Sequence, residues 1–391
     1  TNGTGDILAN YATPGDGANG GTIFTNDGTI VLNGAQSYGV ALNQKVDYRG
    51  TDVTATYDTY GTGYFNYGDS QIILNKPLYI NGDESVGIQV LNPHFDFRNS
   101  VIKLNIGSTQ NLATSTGNLG SNSSNYVDGV IGIYVNYSAP AYSLTFDDYD
   151  IKLDVNSKSG MGLVLTNGDV RLANNSKNNS IISDGGIGNI LLAATGGSSE
   201  ITAGSNTVLQ AVNGKNQLGV FASNNALITN ASNMTVSGDG SIGYIANNGA
   251  DITNSGITTI TGGVYDDGVK KTGSVGVAVI GIGSTFTSTG NVAVEVSGQE
   301  STGLFADTGI IDITGGSVKT LNKAFNLYSK GSTGMIKLNN VTTETGQGSL
   351  LFYSETGGTF DLTNVSSTIK GGTNSSNRGT AFYYTGTGVL P

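Results

Sequence analysis

The sequence predicts an all-β fold, a right-handed parallel β-helix in which short coils stack into a solenoid. Three observations carry that expectation. Glycine is too common for helices, with 60 in 391 residues, and each one inside a helix costs about 1 kcal/mol. The apolar residues fall in short alternating runs, the period of strands with one buried face. One motif also returns along most of the chain, which is the mark of a repeat architecture.

The repeat is clearest in two places. Ser241 to Gly256 reads S-I-G-Y-I-A-N-N-G-A-D-I-T-N-S-G, and Ser301 to Gly316 reads S-T-G-L-F-A-D-T-G-I-I-D-I-T-G-G. Both give a small residue, a glycine, two apolar residues, a polar turn and a short alternating strand. Related cores follow Gly39, Gly87, Gly132, Gly162, Gly219 and Gly276. Weaker copies stand at Ala324-Phe325, Leu350-Leu351 and Ala381-Phe382, with a degenerate one from Gly188 to Leu192. The spacing runs from about 20 to about 48 residues and centres near 30, a β-helix coil rather than a propeller blade of about 40–45.

The other strands of each coil come next. Ile201-Thr202, Val236, Ile252, Ile260, Val294-Val296, Ile313, Val341, Phe360-Leu362 and Ile369 supply them. Each is expected to be about 3–5 residues long, one face turned into a thin dry core. Corners need φ > 0, which Gly and Asn adopt cheaply. Asn247-Asn248-Gly249, Gly262-Gly263, Gly315-Gly316 and Gly371-Gly372 are the expected corners. A dozen coils at strand spacing make a rod of roughly 55–60 Å.

Residues 1–391 read as one β-helical unit. Where the period stretches, loops are expected off one face, at about 45–69, 92–128 and 137–150. The first holds Tyr48, Tyr57, Tyr60, Tyr64, Phe65 and Tyr67, and the second holds Phe95, Phe97 and Arg98. The third holds Tyr142 and Tyr149 beside Asp147, Asp148 and Asp150. These aromatics and Arg98 are the candidate ligand-binding residues, because tyrosine offers wide contact area at low entropy cost. The competing reading is that the rings only pack their own loops onto the rod.

Composition narrows the chemistry. With no Cys and one His, thiolate sites, cysteine enzymes and two-His metal motifs are excluded. A net charge of −11 with 18 scattered cations speaks against nucleic acid, which asks for clustered Lys and Arg. Hydrophobic content of 37 % suffices for a core and argues against disorder. No run of about 18 apolar residues marks a membrane helix.

The catalytic motifs are weak. Gly68-Asp69-Ser70 lacks a following glycine, and His94 comes after it, the wrong order for that serine-protease triad. Gly15 to Gly20 matches G-x-G-x-x-G without a βαβ setting. Gly263 to Thr272 lacks the Gly-Lys pair of a phosphate loop. Gly185 to Asn189 is one broken Ca²⁺ nonapeptide with Asn where Asp is needed. The acid pairs Asp147-Asp148 and Asp266-Asp267 read as solvated turns. No enzyme activity, cofactor or metal is therefore expected. A β-helical polysaccharide lyase or hydrolase is the catalytic alternative, and a passive spacer is the structural one.

Units such as Ser241 to Gly263 resemble the passenger domains of monomeric (type V) autotransporter adhesins. They are most similar to those of the large Fusobacterium outer-membrane autotransporters. The resemblance runs from about Thr22 onward and specifies architecture better than ligand. It implies an exported stalk on the bacterial cell surface, held by a C-terminal outer-membrane β-barrel not included in this sequence. It also implies adhesion to host-cell glycan or protein receptors and coaggregation with partner bacteria. The chain is expected to be a monomeric piece of such a longer protein, and no family binding motif maps onto it.

Overall fold

The computed structural model describes residues 7–11, 23–26, 30–42, 71–74, 78–91, 102–105, 111–113, 127–136, 143–147, 149–153, 157–172, 179–372 and 377–386. These residues form a parallel β-solenoid and contain no α-helix. Three sheets run along it as three faces. The first extends from Ile7–Tyr11 to Thr380–Thr385, the second from Ile23–Asn26 to Thr359–Thr363. The 12-residue strand Met161–Leu172 runs through both and joins them into one 24-stranded sheet. The third face is a separate 12-stranded sheet from Ile30–Leu32 to Ser366–Ile369.

Every repeat core found in the sequence is a strand of the first face. Tyr38–Leu42, Val86–Leu91, Ile131–Asn136, Ile190–Thr195 and Ile242–Asn247 are examples. Each pairs in parallel with the corresponding strand of the next coil. The step is uneven. From Ser37 to Ser85 it is 48 residues, from Gln217 to Ser241 it is 24, and from Ser241 to Ser274 it is 33. Ladders fix position across the coil, while corner length is free to vary.

The core is the inside of this three-faced tube. In Ile242–Asn247, Tyr244 and Ala246 are fully buried, and Ile252 and Ile260 of the other faces meet them there. First-face strands are six residues long in most coils, longer than expected. The strand bends at its glycine: Ile242 pairs with Val275 and Tyr244 with Val277, while Gly243 is skipped.

The anchor glycines answer to a different constraint from the corner glycines. Gly243 is not at a corner and has no positive φ. A Cβ there would lie 2.1 Å from Ile260 Cδ1 and 2.5 Å from the Gly276 carbonyl. Gly276 stands likewise against the Gly303 carbonyl at 2.4 Å. Close approach between coils, rather than turn geometry, demands glycine. Expected corners at Asn248 (φ 52°), Gly249 (81°) and Gly315 (84°) do take positive φ. Gly262 does not; its Cβ would collide with Ser274 Oγ at 2.2 Å.

The third stretch read as an insertion is an ordinary coil where it is described. Ser143–Asp147 is a second-face rung and Asp150–Leu153 a third-face rung. Phe146 and Tyr149 turn into the core, 0 % and 1 % exposed, so the aromatics are packing residues. Within the second stretch, Ile102–Asn105 and Asn111–Ala113 are also rungs.

One excursion stands out in the second half of the rod. Val264–Asp266 and Lys271–Gly273 pair antiparallel, the one such strand pair among the described residues. The Ser274 N–H donates to the Gly263 carbonyl at 3.1 Å and closes the base of this hairpin. Val269 at its tip is 97 % exposed.

Candidate interaction surface

The outer side of the first face is the unusual surface of the molecule. A strand in a solenoid should alternate apolar inward with polar outward. The register here places two columns on the side away from the core, next to each other along the axis. Most of their residues are partly covered by the rows above and below, and Val86, Gln89, Ala193, Ala278 and Thr302 are buried. One runs through Val86, Ile131, Met161, Ile190, Leu218 and Ile242. It continues through Val275, Thr302, Phe325, Leu350 and Thr380. The other runs through Gln89, Tyr134, Val164, Ala193, Phe221 and Ile245. It continues through Ala278, Phe305, Tyr328, Tyr353 and Tyr383.

No position in either column is charged. The bend at each glycine turns both columns to the same side, since the residues between them face the core. The other two faces carry charge on their outer side, although Val208, Leu362 and Ile369 on them also stand exposed. The third carries a ladder of alternating charge in which Lys319 Nζ meets Glu295 at 2.9 Å and Lys370 Nζ meets Glu344 at 2.7 Å. Lys370 holds the Glu344 carboxyl below the usual carboxylate range. The second face alternates Asp312, Lys337 and Asp361 on its outside.

The strip becomes aromatic toward the high-numbered end. The rings of Phe305 and Tyr328 have centroids 4.9 Å apart, Tyr328 and Tyr353 4.5 Å, and Tyr353 and Tyr383 5.6 Å. Phe325 stacks on Tyr353 at 5.3 Å. Tyr383 is 51 % exposed. Along one edge lies a polar column of Asp307, Lys330 and Glu355. Lys330 pairs with Asp307 at 3.1 Å, which raises the ammonium pKa. Tyr328 donates its hydroxyl to Glu355; burial first, then that carboxylate, push the phenol well above its ordinary pKa. It remains a neutral donor at physiological pH.

Of the sequence-predicted site residues, Tyr149 alone is among the described residues. Tyr48, Tyr57, Tyr60, Tyr64, Phe65, Tyr67, Phe95, Phe97, Arg98 and Tyr142 lie outside the described residues. Tyr149 is described, and it is a core residue with no surface to offer a ligand. Among the acid pairs, Asp266 and Asp267 sit at the hairpin, where Asp267 Oδ1 accepts the Val269 and Lys270 N–H groups at 2.8 and 2.6 Å. Asp150 accepts the Ser180 hydroxyl at 2.6 Å.

Sequence reading missed the strip because its residues look like core. In S-I-G-Y-I-A, both Ile242 and Ile245 face out, and the glycine between them breaks simple alternation. The usable signal is an uncharged residue immediately before each anchor glycine and another two places after it, apolar except at Gln89 and Thr302. No family model matches the chain, and neither a curated protein nor a solved structure matches it.

Proposed function

We propose that this chain is a β-helical stalk module of a bacterial surface adhesin, a passenger of the autotransporter type, displayed outside the outer membrane. The observation that supports this reading is the uncharged strip on the first face. A surface kept free of charge over this length, with tyrosine rings toward one end, fits contact with a partner. The other two faces, charged and threonine-rich, fit a rod that stays soluble.

Adherence tests the proposal. Beads coated with the chain are offered to bacterial and epithelial cells, beside beads carrying Ile245→Lys on the strip or Thr259→Lys on the third face. Cell capture by the native chain and by Thr259→Lys, lost with Ile245→Lys, is the expected result. Equal capture by all three moves the contact off the strip, and capture by none removes the adhesin reading and leaves a spacer.

A further inference from the structure

We infer that the hairpin on the rod is a processing site, cut between Lys271 and Thr272 by an endoprotease that reads two adjacent cations. The inference goes beyond the adhesin reading and does not depend on what the first face meets. Two observations coincide. The chain carries 18 Lys and Arg, and Lys270-Lys271 is the one place where two of them stand side by side. That pair lies at the tip and on the return strand of the hairpin formed by Val264–Asp266 and Lys271–Gly273, the one antiparallel strand pair among the described residues. Asp266 through Lys271 are all exposed, Val269 almost completely. Loop tips of this kind are where proteases nick folded proteins. By contrast, Lys319 and Lys337 sit singly on rungs of the third and second faces.

A protease takes its substrate extended, so the turn must open first. Local bonds hold it closed. Asp267 Oδ1 accepts the Val269 and Lys270 N–H groups, and Asp266 Oδ1 accepts the Gly268 N–H at 3.0 Å. Lys271 Nζ meets Asp266 at 3.1 Å, an exposed pair of the kind that weighs little. The first strand is the anchored one, with Lys215 Nζ over the Tyr265 ring at 5.3 Å. Lys270, Lys271 and Thr272 are therefore the segment that lifts, while Gly273 stays buried at the base. Such opening costs little, because it breaks no rung of the solenoid.

On either side of the hairpin the rod stays closed. Ile242–Asn247 pairs with Val275–Ile280, Asp251–Asn254 with Thr285–Ser288, and Thr258–Gly262 with Val292–Val296. Hydrolysis breaks the bond from the Lys271 carbonyl carbon to the Thr272 nitrogen and adds one water. It leaves a carboxylate on Lys271 and an ammonium on Thr272. Segments 1–271 and 272–391 then remain joined by three ladders, so the cut yields a two-piece rod.

A paired-basic endoprotease of the kexin type, added to the native chain at neutral pH, tests this. The expected result is two fragments on a denaturing gel, the shorter one beginning at Thr272 by sequencing. Sedimentation of the same sample keeps one particle near 40.0 kDa. Lys270→Gln and Lys271→Gln should each slow the cut at least about tenfold. Asp267→Ala, which frees the turn, should speed it about threefold or more, since cleavage follows the population of the open form. A native chain left whole while a free peptide of residues 262–276 is cut overturns the processing site. Cutting of Lys271→Gln at the native rate overturns it as well. A nicked chain whose pieces sediment apart overturns the two-piece rod.

Discussion

The backbone N–H of Ser241 donates to Oγ of Ser274, one coil further on, at 3.1 Å. Ser274 N–H donates in turn to Ser301 Oγ at 3.1 Å, and Gln217 N–H to Ser241 Oγ at 3.2 Å. The same bond joins Ser37 to Ser85 and Ala324 to Ser349. Asn189 takes the serine's place under Gly160, with its Oδ1 accepting that N–H at 2.8 Å. The small residue opening each repeat is thus a buried hydrogen-bond ladder at the corner before the first face. It satisfies N–H groups that water cannot reach.

Ser274→Ala should therefore destabilise the rod by about 1–3 kcal/mol, the cost of orphaning a buried donor. It leaves the Ser241 N–H unpaired and removes the bond from Ser274 Oγ to the Gly263 carbonyl at 2.8 Å. Urea unfolding gives the number. A midpoint unchanged from the native chain would remove the ladder from the account of stability.

Two glycines separate close approach from conformation. Gly243→Ala drives a methyl into Ile260 and the Gly276 carbonyl, and overpacking of that kind costs about 1–3 kcal/mol or more. Gly315→Ala meets no atom within 4 Å but keeps φ at +84°, so only left-handed strain of roughly 1–2 kcal/mol applies. Gly315→Asn should recover part of its loss, since Asn tolerates that region, and Gly243→Asn should recover none. Thermal melts of the four variants test the distinction.

Tyr244 is the polar centre of the core. Its hydroxyl lies 3.0 Å from Asn254 Oδ1 and 2.7 Å from Thr258 Oγ1, and Asn230 Nδ2 donates to it at 3.2 Å. Burial pushes its pKa up to about 12. A phenol harder to ionise when folded contributes stability fully below its unfolded value of about 10, and that stability fades as pH rises through the folded value. Unfolding followed from pH 9 to 12 should show this loss, roughly 2–3 kcal/mol by the upper end. Tyr244→Phe should flatten that alkaline slope while lowering stability near neutrality.

The hairpin responds to acid. Asp267 is held below the usual carboxylate range by the Lys270 and Val269 N–H groups, and Asp266 by the Gly268 N–H and then by Lys271. These turn bonds are complete above the ordinary aspartate value near 3.9 and are lost as pH falls through the lower folded values. Amide exchange at Val269 and Lys270, corrected for its intrinsic pH dependence, should lose protection in that acid window while Ile245 keeps its own. Asp267→Ala should show the unprotected rate already at neutral pH.

Much of the fold was legible because ladders copy side-chain identity from coil to coil. Gly219, Gly243, Gly276 and Gly303 fall in one register column, so their motif repeats visibly. Corner lengths are not constrained by pairing, so 137–150 reads as a loop in the sequence although its described residues form ordinary rungs. The contact surface was not legible. Strand periodicity assigns apolar residues to the inside, and only the bend at glycine reveals that Ile242 and Ile245 both face out. Tyrosine-rich segments drew attention instead, and Tyr149, the one such residue described, packs inside.

The central claim is that the strip is kept apolar for a partner rather than for folding. The melting temperature of Ile245→Lys tests it most directly. Ile245 sits between Phe221 and Ala278 and is partly covered by them. Replacing it costs about 0.5–1 kcal/mol of row-to-row contact, so the midpoint should stay within about 4 °C of the native chain. A fall of about 10 °C or more would show that the strip is part of the rod's own packing and contradict the account.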